Sequence, residues 1–385
     1  MVLLDLSNLV FFAPLLPLLL LLLATSKTLA MNGSKKLVLG SPVTKHLIQG
    51  RTIYIKRDDL LDIHGLSGNK ARKYLKLLLD TSETSNYHHT HQNLDHRHHL
   101  VSYGGIQSNS MLALSQIARN NQHYKFTYFV KRIPKFLSNP VGNYQRALQN
   151  GMEAIELEST RYEDMASGKD VEMIMRENSI DASTVNFIEQ GGVSQEAEFG
   201  LQTLAQEIVE YISHVHSSSS QSPCSDHKVG WVIFIASGTG TSAFYLNKAV
   251  QTLQKCADGK KMNHFPIKVI AIPCVGTRED LMKRMKCMIL DSQLQCMPDV
   301  LNDGKNEKYP FALPSEQHLK IWQNLCREST IAFDLIYAPR AWQLLERVWD
   351  QYEDKYHIMY YHCGGQEGND SQLGRYKYEG ILGKG

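Results

Sequence analysis

The segment "GWVIFIAS", residues 230–237, constrains the fold of this chain more than any other. It is a continuous apolar run bounded by glycine. A strand that faced water on one side would alternate apolar and polar residues, so this run reads as a strand covered on both faces. Strand-like and helix-like segments alternate around it from residue 50 onward. Strands are expected at 51–59, 100–105, 125–132, 152–157, 184–192, 267–274 and 356–365. Helices are expected at 69–79, 108–120, 140–150, 161–178, 195–213, 241–255, 315–328 and 340–354. Strands that alternate with helices imply βαβ units, mostly parallel sheets and an α/β fold. Ligands of such folds sit beyond the carboxyl ends of the strands. Gly pairs or Gly-rich turns stand at several of these ends: 104–105, 191–192, 238–240 and 364–365.

Bulk properties exclude several classes. The 385 residues suffice for two domains or one large α/β unit, and 43% hydrophobic with 21% charged residues is ordinary for a globular chain. A net charge of +2 provides no basic field for nucleic acid. Seven scattered cysteines, none in a C-x-x-C pair, argue against a disulfide framework or structural zinc and favour a reducing compartment. No metal site is expected. "NYHHTHQNLDHRHH" (86–99) holds six of the sixteen histidines, but reads as a polar loop. It belongs to one of two expected flexible insertions, 80–99 and 214–228. The second contains the low-complexity "SSSSQSPCSDH".

Residues 1–35 form a separate apolar targeting or anchor segment. "LVFFAPLLPLLLLLLA" (9–24) is short for a span of about 20 residues and carries two prolines. It has the character of a signal-peptide core, although the only charge before it is Asp5. Met31 offers an alternative start. Mitochondrion, plastid and cytoplasm remain open as destinations, as does a secretory route, and membrane contact is expected only if this segment is retained.

Three stretches carry the chemistry. "LSGNKARKYLKLL" (66–78) opens a helix with Ser67-Gly68-Asn69 and then places Lys70, Arg72 and Lys73 in a first turn where the macrodipole favours acids. One reading is a solvated basic turn; the other is a lysine whose amine does covalent chemistry beside an anion. "FIASGTGTSAF" (234–244) follows the buried strand and opens a helix, so that Ser237, Gly238, Thr239, Gly240 and Thr241 can form a cup of backbone amides for a phosphate. It is neither a Walker A loop nor G-x-G-x-x-G. "VSYGGIQSNSMLAL" (101–114) places Ser108 and Asn109 at a helix start, where they can hold a carboxylate or simply cap the helix. Together these pieces describe a phosphorylated aldehyde bound to Lys70, with its phosphate in the glycine cup. A free lysine has a pKa of about 10.4, so the site must favour the neutral amine. Pyridoxal 5'-phosphate meets the description, and the substrate is then a small amino acid.

"KRDDL…GLSGNKARK", "GGIQSN", the Gly-Thr-Gly-Thr cup and the late "HCGG" resemble fold-type-II pyridoxal-phosphate enzymes. Within that group the chain is most similar to the 1-aminocyclopropane-1-carboxylate deaminase and D-cysteine desulfhydrase family, over roughly residues 40–380. The resemblance implies a tryptophan synthase β-like fold: two open, twisted, mostly parallel sheets flanked by helices. A smaller subdomain around 100–185 would be inserted in the larger one, within a catalytic region of 36–385. It also implies roles. Lys70 is the Schiff-base lysine and proton shuttle, and Lys73 helps neutralise the phosphate. Asn109 bonds the ring hydroxyl of the cofactor. Ser108 contacts the substrate carboxylate and assists proton transfer. Tyr337 of "FDLIYAPRAW" faces the substrate, and Cys363 lies beside the pyridine nitrogen. Relatives suggest a homodimer.

Two departures bear on the substrate. The deaminase pattern has a tyrosine before "GVPNE", where "YPFALPSEQH" places Phe311, with Tyr309 two residues earlier. It also has Glu after the second tyrosine, where this chain has Ala338. Losing a phenol and a carboxylate weakens the case for cyclopropane ring opening. α,β-Elimination from D-cysteine is therefore expected ahead of ring-opening deamination to 2-oxobutanoate. A non-catalytic pyridoxal-phosphate-binding protein is the reading from a different class.

Overall fold

The computed structural model describes residues 28–30, 36–38, 40–84, 98–121, 124–219, 228–258, 265–302, 304, 305 and 308–383. The chain divides into two compact units, 1–40 and 41–385. In the first, Thr28–Ala30 pairs antiparallel with Lys36–Val38. Most of the apolar lead lies outside the described residues. Among those described, no helix is long and apolar enough to cross a membrane.

Among its described residues the second unit holds two large sheets and a small two-stranded one, in which Asp62–Ile63 pairs antiparallel with Leu66–Ser67. The larger has six strands in the order Asp299–Val300, Ile267–Pro273, Gly230–Ser237, Tyr356–His362, Arg51–Arg57, Val43–Ile48. Every neighbouring pair is parallel except the last, which is antiparallel. The Gly230–Ser237 strand is central, and Trp231 to Ile235 are all fully buried. Its odd residues pack with helices Ala197–Ser219 and Thr241–Asp258, its even ones with helix Ala338–Val348. Apolar cover on both sides is the reason the run carries no polar alternation. The smaller sheet orders Val185–Ile188, His99–Tyr103, Lys125–Val130 and Glu153–Glu156, all parallel.

The expected elements appear with corrections at their ends. The expected 161–178 helix is two helices, Ser159–Ala166 and Val171–Glu177. Gly168 and Asp170 between them hold positive φ, which a continuing helix cannot use. The 69–79 helix is likewise split at Tyr74 into Gly68–Lys73 and Leu75–Thr84. The 340–354 helix starts earlier and ends at Val348. Helix Ala197–Ser219 runs through the first part of the segment read as a flexible insertion at 214–228, and 220–227 lie outside the described residues. The other such segment, 80–99, likewise begins in helix and ends at a strand residue, with 85–97 outside the described residues. Helix Arg278–Cys287 was not expected. Only Leu281 and Met285 are buried in it, too few to show an apolar period.

Candidate active site

The three chemistry-bearing stretches meet at one place. The loops after the parallel strands converge between the two sheets, at the strands' carboxyl ends, around a cavity of about 350 Å³. Lys70, Lys73, Ser108, Asn109, Ser237, Gly238, Thr239, Gly240, Thr241, Tyr337 and Cys363 all line it. Phe311 lines it too, its ring centroid 5.2 Å from that of Tyr337.

The short Gly68–Lys73 helix shows why its sequence begins with small residues. Gly68 has φ +64°, and a Cβ there would stand 2.2 Å from the Cys363 carbonyl oxygen. The Asn69 amide donates to that same oxygen at 2.8 Å. Backbone therefore packs on backbone where the helix meets the end of the Tyr356–His362 strand. This contact brings Lys70 beside Cys363.

The basic first turn is not solvated. Arg72 is fully buried and donates to both Asp58 oxygens at 3.0 and 2.9 Å, to both Glu207 oxygens at 2.6 and 2.9 Å, and to the Thr203 hydroxyl at 3.1 Å. Lys56 donates to Glu207 at 2.5 Å, and the Tyr361 hydroxyl to Asp58 at 2.5 Å. Two carboxylates and two cations balance, bolting the lysine-bearing helix to the large sheet and to helix Ala197–Ser219. Nothing in the sequence pairs these residues: Asp58 and Glu207 are 149 positions apart, and the role of Arg72 was not anticipated.

Lys70 and Lys73 differ from Arg72. Each donates to the Gly191 carbonyl oxygen, at 3.2 and 3.0 Å. Among the described residues no carboxylate is within ion-pairing reach of either amine. The amine of Lys70 is enclosed by protein although its side chain keeps some surface toward the cavity. Burial disfavours the ammonium form and brings its pKa down to about 8. Burial, and next the Lys70 charge, hold Lys73 well below the ordinary lysine value. Burial pushes the Cys363 thiol up, so at neutral pH it is a neutral thiol and offers no counter-charge.

In the glycine turn, Gly240 has φ +86°, and a Cβ there would meet the Met285 Cγ at 2.3 Å. Only glycine fits this turn, which feeds helix Thr241–Asp258. Ser108 is an N-cap: its Oγ accepts from the Ser110 and Met111 amides at 3.1 and 3.3 Å while the residue lines the cavity. Asn109 Oδ1 accepts from Asn143 at 2.6 Å, which leaves its amide nitrogen to donate. Tyr337 stands at the start of helix Ala338–Val348, and its backbone amide donates to Asp334 at 2.5 Å. Burial raises the Tyr337 phenol, which stays protonated at neutral pH.

The donor set fits a phosphorylated aldehyde. Two enclosed amines with no carboxylate in ion-pairing reach share a cavity of about 350 Å³ with a glycine turn and a helix N-terminus. Among the described residues no group of three or more His, Cys, Asp and Glu could hold a metal ion. Residues 86–97 of the His-rich segment lie outside the described residues.

No family model matches the chain, and no curated protein sequence matches it. Solved structures do. A 1-aminocyclopropane-1-carboxylate deaminase homologue superposes with a TM-score of 0.61 at 17% identity, covering 93% of this chain and 98% of that one. An O-ureido-L-serine synthase gives 0.57 at 10% identity, covering 90% and 94%. A hydrogen sulfide-producing enzyme from Fusobacterium nucleatum gives 0.51 at 14% identity, covering 86% and 97%.

Proposed function

We propose that the chain binds pyridoxal 5'-phosphate and acts as a lyase on a small amino acid, eliminating the β-substituent. Its fold is that of the fold-type-II pyridoxal-phosphate enzymes, two mostly parallel sheets with the site between them. D-cysteine plus water would give pyruvate, hydrogen sulfide and ammonia. The observation that carries this reading is the Lys70 amine: enclosed, brought down to about 8, and sharing one cavity with Lys73 and the Gly238–Thr241 cup.

When bound, pyridoxal phosphate supplies a carbonyl for amino groups and a conjugated ring that accepts electrons from the α-carbon. The rest is assigned to the chain. Lys70 holds the group and, once its amine is free, removes the α-proton. Lys73 and the amides of residues 238–241 hold the phosphate, with the Ser237 and Thr239 side chains at its rim. The Asn109 amide donates to the ring hydroxyl, in the orientation that Asn143 imposes. Ser108 receives the substrate carboxylate. Cys363, a neutral thiol, would stand by the ring nitrogen and would leave it without a charged partner. Tyr337 and Phe311 form the wall on the side-chain side of the substrate.

The apolar Phe311 face, in place of a second phenol, favours elimination over ring opening. That one structure of like fold is a hydrogen sulfide-producing enzyme supports the same reading. The test is turnover of D-cysteine, L-cysteine and 1-aminocyclopropane-1-carboxylate in parallel. Pyruvate and sulfide from D-cysteine are expected. Turnover of the cyclopropane substrate alone would move the assignment to the deaminase. A visible cofactor band with no product from any of the three would leave a binding protein.

A further inference from the structure

The glycine cup has a support outside the cavity. Arg284, on helix Arg278–Cys287, donates from Nε to the Gly238 carbonyl oxygen at 3.1 Å and from Nη2 to the Val275 carbonyl oxygen at 2.7 Å. These carbonyls belong to the loops that leave two adjacent strands, Gly230–Ser237 and Ile267–Pro273. The Cys274 amide donates to Ser237 at 3.0 Å and draws the same strand ends together. The helix is fixed by a capping box in which Thr277 and Asp280 satisfy each other's backbone amides. On its inner side, Met285 and Leu281 take up the space that a Cβ on Gly240 would need.

The consequence follows from the planar trans peptide. In such a unit the carbonyl of one residue and the N–H of the next point in opposite directions. Arg284 does not line the cavity, whereas Gly238 and Thr239 do. Fixing the Gly238 carbonyl toward Arg284 therefore turns the Thr239 N–H the other way, to the cavity side. A carbonyl rotated inward would instead present its negative end to an anion.

We infer that Arg284 is a positioning residue for the phosphate of the bound cofactor: it holds the Gly238–Thr239 peptide with N–H inward and carbonyl outward, and sets a positive charge behind the cup. The inference rests on the proposed pyridoxal-phosphate site. It concerns only the phosphate end of that group, not the ring or the Lys70 bond.

The test uses the full chain stripped of cofactor and titrated with pyridoxal phosphate and, separately, with pyridoxal, which lacks the phosphate. The readout is the visible absorption band. Arg284→Met should weaken pyridoxal phosphate binding roughly tenfold to hundredfold and leave pyridoxal binding unchanged. Arg284→Lys, which keeps the charge but reaches one carbonyl at a time, should fall between. Equal loss for both ligands, or no loss for either, overturns the inference and leaves the site assignment standing. Misfolding of both variants would assign Arg284 to stability alone and overturn it as well. Absence of a band in the wild-type chain would overturn the site reading and the inference together.

Discussion

The amines of Lys70 and Lys73 share a single acceptor, the carbonyl oxygen of Gly191, at 3.2 and 3.0 Å. Two lysines one helical turn apart thus leave the helix on the same side, toward a loop of the smaller sheet. Arg72, between them in sequence, turns the other way into Asp58 and Glu207. One short helix so separates a balanced ionic network from a pair of unbalanced amines.

That separation predicts a pH dependence for the cofactor-free chain. The folded-state pKa of Lys70 is about 8, below its unfolded value near 10.5. Between these values the unfolded chain binds more protons, so stability rises with pH across that window and is flat below it. The amplitude is roughly 3 kcal/mol. Lys73 shifts in the same direction. Denaturant unfolding at pH 7.5 to 10.5 should show this rise, and Lys70→Met should reduce it while stabilising the chain at neutral pH. An unchanged slope in the variant would contradict the burial of the amine.

Removing the hub of the ionic network should cost far more than a surface charge. Arg72→Met leaves Asp58 buried and unpaired, a change worth about 3–5 kcal/mol. Thermal denaturation should show a drop of several degrees or more, and soluble yield should fall. Arg176→Met, at an exposed pair with Glu172, should change stability by less than about 1 kcal/mol.

Gly240→Ala should disturb both stability and cofactor retention. Its φ of +86° is strained for alanine, and the added Cβ would stand 2.3 Å from Met285 Cγ. A loss of about 1–3 kcal/mol is expected. Shortening Met285 to Ala in the same chain should relieve the clash but not the backbone strain, giving partial recovery in a double-mutant cycle.

Much of this arrangement was legible in the sequence, and the rest was hidden for physical reasons. The Gly230–Ser237 strand announced a two-sided sheet because both its faces are apolar. Lys70, the glycine cup and the Ser108 cap were readable because each is a local pattern at a strand end or a helix start. The Asp58–Arg72–Glu207 cluster was not, since charges this far apart in sequence have no periodicity to link them. Helix Arg278–Cys287, and with it Arg284, escaped because it buries two side chains along ten residues. The antiparallel edge strand Val43–Ile48 was missed as well; only Ile48 in it is buried. Breaks within expected helices, at Tyr74 and at Gly168, depend on backbone conformations that an apolar pattern does not record.

Tyr337→Phe should separate the binding and reacting parts of the site. The phenol is held protonated by burial, and its ring packs against Phe311. The visible cofactor band should survive, and turnover of D-cysteine should fall by roughly tenfold to a hundredfold. Loss of the band in this variant would place Tyr337 with the cofactor instead of the substrate.

The central claim is a covalent bond between the Lys70 amine and pyridoxal phosphate. The direct measurement is borohydride reduction of the chain incubated with pyridoxal phosphate, followed by peptide mass analysis. The account predicts a visible band that reduction abolishes, with one pyridoxyl-phosphate adduct on Lys70 and none in Lys70→Ala. A reduced adduct on another lysine, or no adduct at all, would contradict it.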